Sequence, residues 1–395
     1  MSATVKAHGM DGTLVRPDWP PLTLDEVRTV LSAFPAAGEP EKIVFASPRP
    51  FSAAGLVRTD TGTLFLKRHH HAVRDGEGLR EEHRFLEHLL AHGAPVPRVL
   101  AASSGDTVVE TGAWTYEVHE AAEGVDVYRD ALSWTPFHTS QHARAAGQAL
   151  AQLHLAARGM AAPRRRPRPL VAGFTIFASP NPEIAMERYL EARQALAQHK
   201  GVRACAKQAL DLLSPFALQL APLLPTLGSL WTHNDLHASN LFWSDAGDNA
   251  HVTAVIDFGL ADCTNAVHDL AHAIERNIVE WLALVRNPQQ PESVPVHLDH
   301  LCRLLEGYES VRPLTWEEAA ALAPMTALCH AEFALSEADY FLGVLGAEEA
   351  ARMAYDGWLV GHARWFRTAA GRTLLDAIAQ WAETHATQKP AEAAP

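Results

Sequence analysis

The segment Trp231-Thr232-His233-Asn234-Asp235-Leu236-His237-Ala238-Ser239-Asn240 sets an acid and an amide into a polar loop with apolar flanks. Asp257 follows within Val255-Ile256-Asp257-Phe258-Gly259. Together they read H-x-D-L-x-x-x-N followed by D-F-G, a set whose order and spacing say far more than either piece alone. The residue types suit phosphoryl transfer, in which the protein positions an acceptor hydroxyl and neutralises phosphate charge rather than doing covalent work. Asp235 would take the hydroxyl proton and aim the oxygen. Asn240 and Asp257 would offer hard oxygen ligands to a Mg²⁺ bridging the phosphates of ATP. His233 reads as a brace for the loop, and His237 as a neighbour of the metal that does not ligate it. The competing reading makes His233, Asp235 and His237 the metal ligands of a hydrolase. It leaves D-F-G and Lys67 without work.

A phosphate-binding lysine and a partner acid must come from elsewhere. Thr63-Leu64-Phe65-Leu66-Lys67 reads as a buried strand ending on a cation. The helix expected over 78–92 carries Glu81 and Glu82, and Glu82 has Leu86 and Leu89 at i+4 and i+7, so it is the better ion-pair partner for Lys67. A helix over 24–34 and strands over 42–47, 55–59, 63–69, 98–102, 107–110 and 114–119 complete a β-rich first part, with Asp60-Thr61-Gly62 turning a hairpin. Backbone groups of Val118 and His119, at the end of the last strand, would meet the adenine. The loop 47–55 would cover the phosphates with Ser52 and the amides of 53–55. It is not G-x-G-x-x-G, and G-x-x-x-x-G-K-[ST] is absent, which excludes a P-loop NTPase. Beyond Gly124 helical patterns dominate, over 142–157, 184–199, 203–220, 269–284, 316–335 and 347–367. A short strand region from 230–242 to 255–258 interrupts them. The proline-rich loop 163–169, holding Arg164-Arg165-Arg166, reads as a solvated connection.

With these motifs in place, the chain resembles the aminoglycoside phosphotransferase and choline/homoserine kinase family, small-molecule kinases of protein-kinase-like fold. The resemblance runs from about Phe45 to Trp281 and includes Pro95-Val96-Pro97, Ala149-Leu150-Ala151-Gln152-Leu153-His154 and Asp269-Leu270-Ala271. It implies an α+β, bilobal fold with a small β-rich lobe around one main helix and a large, mostly helical lobe. It implies a base at Asp235, metal ligands at Asn240 and Asp257, a phosphate lysine at Lys67, and at Asp269 a buried aspartate bracing the catalytic loop. Asp269 is also placed to cap the helix that follows. Two departures stand out: the phosphate loop, and Asn234 where the family has Gly, which keeps a residue tolerant of the left-handed region. Expected boundaries are a flexible 1–22, a nucleotide-binding lobe 23–120, a catalytic and acceptor-binding lobe 121–386 and a disordered tail 387–395.

Composition narrows the rest. The chain has 395 residues, 33 basic and 46 acidic, for a net charge of −13, and a mean hydropathy of −0.08. That balance argues against nucleic acid as a partner. No apolar run is long enough for a membrane helix, and the opening residues lack the apolar core of a secretory leader. Cys205, Cys263, Cys302 and Cys329 are scattered, as expected of reduced thiols in the cytoplasm. The absence of A-P-E and the short step from Gly259 to His268 favour a small-molecule acceptor over a protein Ser/Thr kinase; a nucleotide-binding pseudokinase is the other alternative. The acceptor itself is not readable, nor is the oligomeric state. Glu332, Glu337, Asp339, Tyr340, Tyr355, Asp356 and Trp358 would suit a cationic amine, though such residues more often form a solvated helix face beside core aromatics.

Overall fold

The computed structural model describes residues 7–385. The chain divides into two compact units: residues up to Gly124 together with Ala254–Phe258, and Val125–Thr253 together with the remainder from Gly259.

The first unit is built on a five-stranded antiparallel sheet. Its strands are β1 (Pro40–Ala46), β2 (Ala53–Thr59), β3 (Thr63–His70), β4 (Val109–Thr111) and β5 (Trp114–Glu120). Their spatial order is β1-β2-β3-β5-β4. Period-2 alternation sets the two faces. Leu64 and Leu66 of β3 point with Val57 and Val118 into a core against helix α1 (Leu24–Leu31), whose Val27, Val30 and Leu31 are buried. Phe65 and Lys67 therefore face the other way. Thr23 caps α1 in a full capping box with Glu26. Helix α2 (Gly76–Ala91) starts on Asp75, which accepts from the Gly78 amide. The stretch expected as a strand over 98–102 instead runs beside β5 through two hydrogen bonds, Leu100 N–H to the Val118 carbonyl at 2.8 Å and Glu120 N–H to the Arg98 carbonyl at 2.9 Å. The opening residues, expected to be loose, hold a two-stranded pair of Ala7–His8 with Leu14–Val15, and Trp19 stacks on His70 with ring centroids 5.0 Å apart. The tail 387–395 lies outside the described residues.

The second unit is mostly helical, with short two-stranded ladders. Helix α3 (Ser140–Ala156) meets helix α7 (Leu298–Glu309) at backbone distance. A Cβ on Gly147 would lie 2.0 Å from the Leu304 carbonyl oxygen, and one on Gly307 would lie 2.0 Å from that of Arg144, so only glycine allows this approach. Helices α4 (Pro182–Glu191) and α5 (Lys200–Leu220) follow α3. Strand β6 (Ser229–Thr232) then pairs antiparallel with β7 (Asp262–Asn265). Helix α6 (Ala266–Ile278) begins directly after β7 and is buried along its whole length. The run expected as one helix over 316–335 is two, α8 (Trp316–Leu328) and α9 (His330–Asp339). The expected helix over 347–367 is broken by a wide π-type stretch, Met353–Val360. Among the described residues no helix is long and apolar enough to cross a membrane.

Candidate active site

In the first unit Lys67 Nζ donates to Asp257 Oδ1 at 2.8 Å. Asp257 has φ +63, a left-handed conformation uncommon for a side-chain-bearing residue and one associated with functional positions. Burial works against the Lys67 charge, but Asp257, Glu117 and Glu82 outweigh it and raise its pKa above the usual lysine value. The expected Lys67–Glu82 pair is replaced. Glu82, 4% exposed, gives its carboxylate to Arg74 Nε at 2.8 Å and acts on Lys67 only as a nearby charge. A guanidinium satisfies a buried carboxylate better than a single ammonium does, and Arg74 lies in the turn just ahead of α2.

Across β3 and β5 the register partner of Lys67 is Glu117, which the sequence reading missed. His69, His83 and His119 all direct Nε2 onto its carboxylate, at 2.9, 2.8 and 2.8 Å. Burial opposes ionisation, yet these three rings hold Glu117 well below the usual carboxylate range. The acid alternating with histidines on one strand face was the available signal. Strand β5 runs on to Glu120, so Val118 is not at its end. Val118 is fully buried and its carbonyl is engaged by Leu100. The first backbone beyond the sheet lies at 121–124. Ser52 immediately precedes β2, at the end of the turn from β1.

In the second unit β6 delivers the chain into the loop with Asn234 at φ +60. Asn234 pays for that geometry locally: Nδ2 donates to the carbonyls of Ala172 (3.0 Å) and Leu260 (3.3 Å). Asp269 is fully buried and braces the loop through three contacts. It accepts from His233 N–H at 2.8 Å, Asn234 N–H at 2.7 Å, and contacts His154 Nε2 at 3.0 Å. Burial opposes its ionisation, but these partners lower its pKa. It is not the helix cap; Asn265 is, accepting from His268 N–H at 2.9 Å. His233 Nδ1 accepts from Asp235 N–H at 3.1 Å, which commits that nitrogen to the loop. Asn240 Nδ2 donates to the Asp235 carbonyl at 2.9 Å, leaving Oδ1 as the oxygen suited to a cation. His237 Nδ1 contacts Ser239 Oγ at 2.8 Å, and Nε2 lies 3.7 Å from Asp235 Oδ2.

Two residues of α6 enter the site without having been foreseen. Arg276 Nε lies 3.0 Å from Asp235 Oδ1, and its guanidinium sits over the Phe333 ring at 4.1 Å. Asn277 receives the Ala238 N–H at 3.0 Å and donates to the Leu236 carbonyl at 2.8 Å. Both lie about two turns beyond Asp269 on one helix, and that i+7, i+8 spacing was legible. Glu337 of α9 lies within electrostatic reach of Asp235 and Arg276. Burial pushes its pKa to about 8, with Asp235 and Glu275 adding to the rise and Arg276 opposing it, so near neutrality it is largely protonated. Of the acids considered for a cationic amine, Glu332, Glu337 and Asp339 are occupied or discharged, whereas Asp356 is exposed. Glu332 is 3% exposed and accepts the amides of Thr175 and Ile176, while Tyr340, Tyr355 and Trp358 are buried core.

A model of the phosphotransferase enzyme family matches residues 52–314. A homoserine kinase of Xanthobacter autotrophicus is 28% identical over 245 residues, covering 60% of this chain and 61% of that relative. The match therefore spans less than two thirds of that relative's length. Among solved structures, an amicoumacin kinase in complex with AMP-PNP and Ca²⁺ is similar at a TM-score of 0.51 and 15% identity, covering 84% of this chain and 93% of that one. A spectinomycin phosphotransferase in complex with ADP is similar at 0.51 and 11%, covering 87% and 98%. At such identities these structures show a common fold, the protein-kinase-like one with a β-rich and a helical lobe.

Proposed function

The chain belongs to the phosphotransferase enzyme family, and we propose that it is a kinase that moves the γ-phosphate of ATP, with Mg²⁺, to a hydroxyl of a small molecule. One observation carries the reading. The Asp235 carboxylate sits at the tip of a loop pinned by the Asn234 conformation and by Asp269, and is itself held by Arg276. Such a carboxylate is suited to receive a hydroxyl proton while keeping the oxygen aimed.

In this reading residues 23–120 form the nucleotide-binding lobe and 121–386 the catalytic and acceptor-binding lobe. Lys67 binds a phosphate oxygen, and Glu117 and Glu82 keep it charged. Ser52 and the amides after it cover the phosphates, and the backbone just past β5 takes the place given to Val118 and His119 for the adenine. Asn240 and Asp257 hold Mg²⁺; their oxygens are the hard donors this ion prefers. The cation, when bound, neutralises charge that builds on the transferring group. Asp235 orients the acceptor and takes its proton. His233 and Asp269 keep the loop in shape. The homoserine kinase relative and the antibiotic-kinase neighbours support a small hydroxylated acceptor, and the scattered thiols fit the cytoplasm.

The test separates binding from chemistry. Asp235→Ala should cut phosphate transfer by about 10²–10⁴-fold while nucleotide affinity, followed by calorimetry, stays near wild type. Lys67→Ala should weaken the nucleotide itself. Full transfer by Asp235→Ala, or unaltered nucleotide affinity in Lys67→Ala, would remove these roles.

A further inference from the structure

The loop read as a solvated connection does something else. Within the second unit a cavity of about 340 Å³ is lined by Arg164, Arg165, Arg166, Arg188 and Arg193. Five guanidiniums around one cavity run against a net charge of −13. Two carboxylates share the wall, and each turns one oxygen to backbone amides. Asp262 Oδ1 accepts the amides of Arg165 and Cys263 at 2.8 Å each, and Glu332 accepts those of Thr175 and Ile176. Burial raises the pKa of each, against the backbone amides and nearby arginines that favour the charged form.

The arginines are not equivalent. Arg165, 6% exposed, is a strut whose Nη1 donates to the Gly259 and Ala261 carbonyls at 3.1 and 3.2 Å. Arg193 is stacked on the Tyr189 ring at 3.6 Å and donates Nη1 to the Tyr189 carbonyl. It lies 3.7 Å from Asp339, and its Nε, although buried, has no hydrogen-bond partner. Arg164 spends one nitrogen on the Phe174 carbonyl at 3.2 Å. Arg164 and Arg188 are exposed at the rim. Guanidinium forks, held at Arg193 and exposed at the rim at Arg164 and Arg188, match carboxylate and phosphate groups.

The cavity also lies close to the catalytic loop. Asp262 is the register partner of Thr232, about 5 Å away across a sheet. Asp235 follows Thr232 by three residues, at most about 10 Å of chain. Helix α9 carries Glu332 in the cavity wall and Phe333, whose ring lies 4.1 Å from the Arg276 guanidinium that holds Asp235.

We infer that this cavity receives an anionic group of the acceptor, a carboxylate or a phosphate monoester, while the acceptor hydroxyl is presented to Asp235. The inference rests on the kinase reading for the hydroxyl, but not for the anion site. The substrate class is thus an anion-bearing alcohol rather than a polycationic amine.

The experiment measures binding by calorimetry to protein saturated with Mg·AMP-PNP, which occupies the nucleotide site. Glycerol 3-phosphate, glycerate, glycerol and choline serve as hydroxyl probes differing in charge. The anionic probes should bind and the neutral and cationic ones should not. Arg164→Gln and Arg188→Gln should each weaken anion binding by about tenfold with AMP-PNP affinity unchanged. The phosphate and carboxylate arms identify which anion the site prefers. Choline or glycerol binding as tightly as the anions, or anion binding unmoved by both substitutions, would overturn the inference and leave the kinase reading standing. Anion binding lost with Arg164→Gln and Arg188→Gln, without transfer to any acceptor, would sustain the site and count against the kinase reading alone.

Discussion

At the scale of single residues, the part-buried Asp235 and the buried Arg276 and Glu337 act on one another electrostatically. The Arg276 guanidinium pairs with Asp235 and acts on Glu337 as a nearby charge, and the environment separates the roles of the two carboxylates. Asp235 takes the ion pair, and Glu337 keeps its proton to about pH 8. The sign of the stability effect follows. The folded state holds a proton on Glu337 that the unfolded chain releases near the ordinary glutamate value, so stability falls as pH rises from about 4.5 toward 8 and levels above it. Glu337→Gln should remove this slope in urea titrations taken at successive pH values, and be more stable than wild type at alkaline pH. Asp235→Asn deletes a charge that raises the Glu337 pKa, so it should shift that loss of stability to lower pH. An unchanged slope in Glu337→Gln would show that another group is responsible. Arg276→Gln should lower kcat with little change in nucleotide affinity. Arg276→Lys should recover only part of the loss, because an ammonium lacks the planar fork.

At the scale of elements, the site depends on how β6, the catalytic loop and α6 are joined. The loop takes a left-handed step at Asn234, and the same side chain ties it to Ala172 and Leu260. Asn234→Ala should therefore cost on the order of 1–3 kcal/mol, from backbone strain and from carbonyls left without a donor. Asn234→Gly relieves the strain but not the lost hydrogen bonds, so it should fall between Ala and wild type in chemical denaturation. Equal stability of the two variants would mean that the conformation carries no strain. Much of this was legible: the motif spacing, the Asn at the left-handed step, and Asp269 as the brace. The partner of Lys67 was not, because helix periodicity places Glu82 on a buried face without saying that Arg74 reaches it first. The capping role of Asp269 went to Asn265 because the helix begins one turn earlier than its apolar pattern suggests.

At the scale of the molecule, the order of a β-rich part followed by a helical part was readable from the switch between periods of two and of 3.6. The breaks in the C-terminal helices were not. Tyr340–Leu345 and Met353–Val360 widen into π-type turns, and such turns leave the apolar pattern of the sequence largely intact. Net charge was misleading in a specific way. A chain at −13 carries a cavity walled by five arginines, because composition averages over a surface while binding depends on what one cavity collects. A nucleotide that binds only the folded state should also raise the unfolding free energy, by about 2.7 kcal/mol at a hundredfold excess over its Kd. That increment should be smaller in Lys67→Ala and Asp257→Ala at the same concentration of Mg·ATP, and preserved in Asp235→Ala.

The most direct test of phosphoryl transfer is Mg²⁺-dependent release of ADP from ATP by the purified protein, with and without hydroxylated acceptors of differing charge. The account predicts release that rises with an acceptor, requires the divalent cation and disappears in Asp235→Ala. Tight binding of Mg·ATP with no acceptor-dependent release, across amino acids, sugars, phosphorylated alcohols and antibiotics, would contradict it.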